Sequence, residues 1–178
     1  MALQEYFMRT PLATLVALDE DDLSEALIWI DWRSFESEVV TGFSDEVAED
    51  DAIGMLDEDE PRELVHRGAT YAIPLTESGR DRYVMIASIA QILKDRYSVF
   101  VHSDSYGGSD THGFLVLTNT EADLARRQHA DWLSRNFEPL PMGIDGFSGK
   151  PIAYLGYTPP EGEAEEPAPR KKPFWKIW

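Results

Sequence analysis

The sequence contains no cysteine. A disulfide scaffold, a thiol nucleophile and a zinc–cysteine site are therefore excluded. No apolar run approaches the roughly 20 residues that a membrane span needs, and the N-terminus lacks the basic, apolar and small-residue pattern of a secretory signal. We therefore expect a cytoplasmic protein and no membrane partner.

Basic side chains are also scarce, with 16 Lys and Arg against 33 Asp and Glu, so the net charge is −17. Residues 1–60 hold 18 acidic and 2 basic side chains, whereas residues 61–178 hold 15 acidic and 14 basic. The excess acidity thus belongs to the first third of the chain, and the remainder is nearly neutral. Because such a surface repels phosphates, we expect no nucleic-acid partner.

The composition is that of a globular protein, with 43% apolar and 28% charged residues over 178 positions. Helical and extended patterns alternate, which predicts an α/β (α+β) fold: a small mixed sheet, with an antiparallel hairpin at about 97–118, packed by helices. Residues 80–96 carry the clearest helical pattern. We expect a single domain over 1–157, followed by a flexible tail, rich in Pro, Glu and Lys, over 158–178.

Several further elements follow from local patterns. Residues 27–32 form a short apolar run that predicts a strand buried on both faces. Residues 61–67, followed by glycine, predict one or two helical turns. Thr118 stands three positions before Glu121, the spacing of a capping box, and opens a helix predicted to run to about Phe137.

The densest polar cluster lies at the tip of the predicted hairpin and contains His102, Asp104, Asp110 and His112. These residue types suit a divalent metal or an acid–base pair. If Gly107 and Gly108 form a two-residue turn, Ser103 pairs with His112 and the two polar pairs lie on opposite faces. If the loop has an odd number of residues, all four side chains converge.

The convergent arrangement would make the protein a small metal-dependent hydrolase. The split arrangement would leave ordinary turn chemistry at a hairpin tip. The sequence carries no P-loop, GxGxxG, HExxH or GxSxG motif, so no catalytic residue is assigned. We expect no cofactor other than this divalent metal.

The acidic first third is the alternative functional feature. Aromatic side chains among charged ones are typical of interfaces, so this third predicts contact with a protein partner that has a basic surface. The residues predicted to make that contact are Trp29, Trp32, Phe35, Asp57, Glu58, Asp59 and Glu60. Helix N-terminal charge and a solvated face would explain the same acids without a partner.

The C-terminal end alternates basic and aromatic side chains. The aromatic residues predicted to bind a partner there are Phe174, Trp175 and Trp178, interleaved with Arg170, Lys171, Lys172 and Lys176. Such a segment can act as a recognition peptide or dock on the acidic third of its own chain, and a weak membrane-interface anchor is a less favoured alternative because about five apolar side chains give only shallow binding. The sequence does not distinguish these two roles, nor does it fix an oligomeric state.

The residues Ile30-Asp31-Trp32-Arg33, Ser109-Asp110-Thr111 and a helix ending at Phe137 resemble those of uncharacterised bacterial proteins with domains of unknown function. The resemblance covers about residues 28–137 and brings no established active site with it. In size and charge the chain is also similar to small acidic bacterial immunity proteins. The leading prediction is therefore a non-enzymatic interaction protein, an immunity-like or regulatory inhibitor.

Overall fold

The computed structural model describes residues 10–31, 33–57, 62–106 and 110–160. These residues form six α-helices and seven β-strands, so the predicted α+β class is confirmed. The helices are α1 Leu12–Leu15, α2 Glu20–Glu25, α3 Glu36–Asp45, α4 Asp81–Leu93, α5 Asn119–Gln128 and α6 Ala130–Asn136. The strands are β1 Ile28–Ile30, β2 Ile53–Met55, β3 Glu63–His66, β4 Ala69–Ala72, β5 Tyr97–His102, β6 His112–Thr118 and β7 Phe137–Pro139.

The strands form two sheets, a four-stranded sheet in the order β1-β6-β5-β7 and a three-stranded sheet in the order β2-β3-β4. Every pairing within these sheets is antiparallel, so the predicted mixed sheet is wrong. The helices between strands lead to antiparallel neighbours and not to the parallel crossovers of a βαβ unit. The predicted hairpin is confirmed as the β5–β6 pair.

The four-stranded sheet carries an apolar core on each face, because successive side chains of a strand point to opposite sides. Val99 and Val116 belong to the core that contains buried residues of α3 and α4. Phe100 and Leu117 belong to the core that contains buried residues of α1, α2, α5 and α6. The sheet thus lies between two groups of helices.

One predicted helix is confirmed, and another is confirmed only at its start. The helix predicted over 80–96 is confirmed as α4, most of whose apolar residues are buried. The capping box is also confirmed, because the Thr118 hydroxyl accepts from the Glu121 N–H at 3.2 Å and the Glu121 carboxylate accepts from the Thr118 N–H at 3.0 Å. The helix does not run unbroken to Phe137, because His129, at φ −132° and ψ 35°, separates α5 from α6.

The helical turn predicted at 61–67 is wrong, since β3 occupies Glu63–His66. Leu64 and His66 are buried there while Glu63 is exposed, which is the two-residue alternation of a strand. Arg67 and Gly68, with φ of 51° and 76°, form the tight turn to β4. The glycine ends a strand, not a helix.

The strand predicted over 27–32 is shorter than expected, and its predicted burial on both faces is wrong. Among the described strands β1 pairs with β6 alone, at the sheet edge, and its central residue Trp29 is 41% exposed. Most of the predicted tail, residues 161–178, lies outside the described residues. None of the described helices is long and apolar enough to cross a membrane.

Candidate functional site

The register of the β5–β6 hairpin decides whether its two histidines can meet. Val101 pairs with Phe114, whereas Ser103 has already left the strand and lies in the 3₁₀ turn Ser103–Tyr106. His112 stands two positions before Phe114 and so shares the face of Val101, whereas His102 follows Val101 directly. The two histidines therefore lie on opposite faces of the sheet. The register that would have brought the four polar side chains together is not the one formed.

The two carboxylates of this cluster do not restore a metal site. Asp104 lies exposed in the 3₁₀ turn Ser103–Tyr106, and Asp110 is exposed just before β6. Residues 107–109 lie outside the described part of the chain. Within the described ranges, no group of three or more His, Asp or Glu side chains is placed to hold a metal ion.

On one face of the sheet His102 joins a row of aromatic rings. Its ring centroid lies 6.1 Å from that of Trp29 on β1 and 5.6 Å from that of Phe137 on β7, both in edge-to-face geometry. Trp132 of α6 extends the row at 5.4 Å from Phe137. The geometry is that of aromatic packing, which places the His102 ring among apolar neighbours.

Gly113 fixes where Trp29 lies. The two residues pair across β1 and β6, and a Cβ atom at Gly113 would come within 3.1 Å of the Trp29 ring and of Leu27. The indole N–H donates to the Ser24 carbonyl at 2.8 Å, tying the ring to the end of α2. Trp29 is therefore held in one orientation while its outer part stays in contact with solvent.

His112 lies on the opposite face, buried against Phe147 at 4.3 Å between ring centroids. Burial lowers the pKa of His112 below its ordinary 6.5, and the charges of Asp145 and Asp110 offset part of that shift. Asp145 is itself buried and accepts hydrogen bonds from the Phe147 N–H and the Ser148 hydroxyl, each at 2.8 Å. It thereby shapes the loop that covers His112.

Asp145 was not predicted from the sequence, because it stands in a stretch that is rich in glycine and proline and has no periodic pattern. A carboxylate two and three positions before potential donors is the spacing of an Asx turn, and that signal could have identified it.

The acidic first third presents most of its carboxylates to solvent. The exposed ones are Asp19, Glu20, Asp21, Asp22, Glu25, Glu38, Asp45, Glu49, Asp50 and Asp57, and we refer to them as the acidic surface. Some also stabilise helices: Asp19 caps α2 by accepting from the Asp22 N–H at 3.0 Å. Helix capping explains individual positions in this set, but all ten side chains remain exposed to solvent.

Two exposed aromatic side chains stand in the same stretch of chain. Trp29 and Phe35 flank the turn between β1 and α3, in which the Ser34 N–H donates to the Asp31 carbonyl at 3.1 Å. Phe35 is 70% exposed and its N–H donates to the Glu38 carboxylate at 2.8 Å. The other predicted contacts, namely Trp32, Glu58, Asp59, Glu60, Phe174, Trp175 and Trp178, lie outside the described residues.

Asp51 differs from the rest of its acidic run because it is only 1% exposed. Its carboxylate forms ion pairs with Arg67 and, at 2.9 Å, with Arg96. It also accepts from the Tyr97 hydroxyl at 2.8 Å, and that hydroxyl accepts from the Ala48 N–H at 3.1 Å. The sequence analysis missed this network because its members are far apart in the chain.

Burial raises the pKa of Tyr97 above its ordinary 10.0. The hydrogen bond from Ala48 lowers it in part, and the nearby Asp51 carboxylate raises it further.

With the geometry in place, comparison with known proteins adds no relative: no family model, curated protein or solved structure matches the chain. The resemblances drawn from short motifs, size and charge therefore stay predictions.

Proposed function

We propose that this chain is a non-enzymatic interaction protein that binds a protein with a basic surface, acting as an immunity-like or regulatory inhibitor. One observation carries the proposal. The exposed carboxylates of α2, α3 and the 3₁₀ turn Glu49–Asp51 occupy the same stretch of chain as the exposed aromatic side chains of Trp29 and Phe35.

The charge distribution supports binding with a preferred orientation. Residues 1–60 carry a balance of −16 and residues 61–178 a balance of −1, so a basic partner is drawn to the surfaces that residues 1–60 expose. Long-range attraction of this kind accelerates encounter and orients it, while it adds less to the lifetime of the complex.

The aromatic side chains supply the contact that charge alone lacks. Large rings that become buried on association contribute much of the affinity of typical interfaces. Trp29 is suited to this role because its hydrogen bond to Ser24 and its seat over Gly113 already fix it. A side chain fixed before binding loses little conformational entropy when a partner covers it.

The experiment is a quantitative affinity capture with matched baits, carried out on an extract of the cells that make the protein. The surface variant neutralises three exposed acids of α2: Asp21→Asn, Asp22→Asn and Glu25→Gln. The control variant makes the same charge change elsewhere: Asp123→Asn, Asp131→Asn and Glu138→Gln. A Phe35→Ala bait tests the aromatic contact, since that side chain is 70% exposed and its loss should leave the fold intact.

We expect a basic protein that the wild-type and control baits retain and that the surface and Phe35→Ala baits lose. Reconstitution from the two purified proteins must reproduce that order. A partner retained equally by all four baits would contradict the assignment of the interface, as would retention of none.

A further inference from the structure

A pocket of about 270 Å³ opens beside the buried Asp51. It lies between the β3–β4 turn and the end of α4, and its lining includes Arg67, Arg96, His66, Tyr71, Ile92 and Asp95. In a chain of net charge −17, two arginines at one concave site stand out.

Asp51 holds both guanidinium groups in place. Its two carboxylate oxygens pair with Arg67 and Arg96 and also accept from Tyr97. A guanidinium group has five N–H donors, and one carboxylate that also accepts from Tyr97 cannot use all the donors of two such groups. The arginine side chains remain 46% and 52% exposed, so donors are left for a ligand.

The backbone conformation of Arg67 is a second observation in favour of a ligand site. Its φ of 51° lies in the left-handed region, in a two-residue turn where Asn and Gly are the favoured residues. An arginine there is a conformational outlier, and such outliers cluster at sites where the side chain is needed. The pairing with Asp51 explains part of this need, and a bound group would explain the rest.

His66 gives an independent indication. It lines the pocket, is buried, and its Nδ1 atom has no hydrogen-bond partner within the described ranges. Buried polar atoms are nearly always satisfied by protein, water or ligand. Since His66 lines the same pocket as the two arginines, a group bound there is one way to satisfy its ring.

We propose that the pocket binds a small molecule through an oxyanion group, a phosphate or a carboxylate, held by Arg67 and Arg96. Tyr71 and Ile92 line the same pocket and provide an apolar wall for the rest of the ligand. Asp51 and Asp95 offset the charge of the arginines, so recognition depends on the fixed fork of N–H donors more than on net charge. The proposal does not rest on the interaction function.

The test is an NMR titration of the full-length protein with inorganic phosphate and, separately, with acetate, at constant ionic strength set by chloride. We expect saturable shifts of the Arg67 and Arg96 Nε–H signals. Ala69→Leu adds bulk at a lining position that supplies none of the side chains of the Asp51 network, and it should weaken binding at least about tenfold because it fills space the ligand would occupy. Ala72→Leu, at an exposed position on the same strand, is the matched control and should bind like the wild type.

If the chemical shifts saturate with phosphate alone or with acetate alone, the preferred oxyanion is that one. If they saturate with both, the pocket recognises phosphate and carboxylate groups alike. Shifts that grow linearly, that chloride reproduces, or that Ala69→Leu leaves unchanged would overturn the proposal. Should Ala69→Leu fail to fold, Arg96→Lys takes its place, because lysine can keep the ion pair with Asp51 but lacks the planar fork. Full binding by that variant would equally overturn the proposal.

Discussion

Replacing Asp51 with alanine should destabilise the protein by about 3 kcal/mol. The substitution removes the only carboxylate described as joining Arg67, Arg96 and Tyr97 in one network. These partners belong to the β3–β4 turn and to the end of α4 with the start of β5, so Asp51 connects both sheets of the molecule. Its loss should therefore lower global stability and not only loosen a loop.

The magnitude follows from how buried each partner is. Removing one member of a fully buried ion pair costs about 3–5 kcal/mol. Here the arginines are 46% and 52% exposed, so water can replace the carboxylate, and each contributes only about 0–1 kcal/mol. The buried hydrogen bond from Tyr97 to the charged acceptor, at 2.8 Å, contributes about 1.5–3 kcal/mol.

Urea denaturation, followed by circular dichroism, measures the free energy of unfolding of each variant. Asp50→Ala is the matched control, since Asp50 is exposed in the same 3₁₀ turn and should change stability by no more than about 0.5 kcal/mol. For Asp51→Ala we expect the free energy of unfolding to fall by about 3 kcal/mol, and thermal denaturation should show a Tm lower by roughly 6–12 °C. Equal stability of the two variants would refute the reasoning that the buried network holds the sheets together.

Three further predictions concern single groups. Burial lowers the pKa of His112, so the unfolded chain takes up more protons than the folded protein as the pH falls below 6.5. The free energy of unfolding, measured by urea denaturation, should therefore decrease with falling pH, and it should decrease less in His112→Gln. An equal dependence on pH in the two proteins would contradict this. Gly113→Ala should shift the fluorescence of Trp29, because a Cβ atom at 3.1 Å requires the Trp29 ring or Leu27 to move by a few tenths of an ångström. Gly54→Ala, with open space around it, should leave that fluorescence unchanged, and an equal response of the two variants would contradict this contact. Tyr97 should ionise above pH 10, so the absorbance at 295 nm should rise in a step at higher pH than that of the other tyrosines, and Tyr97→Phe should remove that step. A titration curve that the substitution leaves unchanged would argue against the burial of Tyr97.

The sequence predicted best those elements whose signal is local. Helix α4 is predicted by its many closely spaced apolar residues. The start of α5 is predicted by the capping box of Thr118 and Glu121, whose contacts span three residues. The hairpin of β5 and β6 is equally local. In each case the residues that make the signal also make the contacts.

The errors and omissions come from contacts between distant parts of the chain. Whether β1 is central or at an edge depends on which strand lies beside it, and its apolar run alone does not tell. The partners of Asp51 lie 16, 45 and 46 positions away, so nothing in its acidic run distinguishes it from its exposed neighbours. The register that separates His102 from His112 was one of two that the loop sequence allowed.

The salt dependence of binding to the purified partner tests the central claim most directly. Titration calorimetry at low and at physiological ionic strength should show an affinity that falls at least about tenfold with added salt for the wild type and for the control triple variant. The variant neutralised at Asp21, Asp22 and Glu25 should bind more weakly, with a shallower dependence on salt. An affinity that salt leaves unchanged, or a dependence identical in both triple variants, would contradict recognition through the acidic surface.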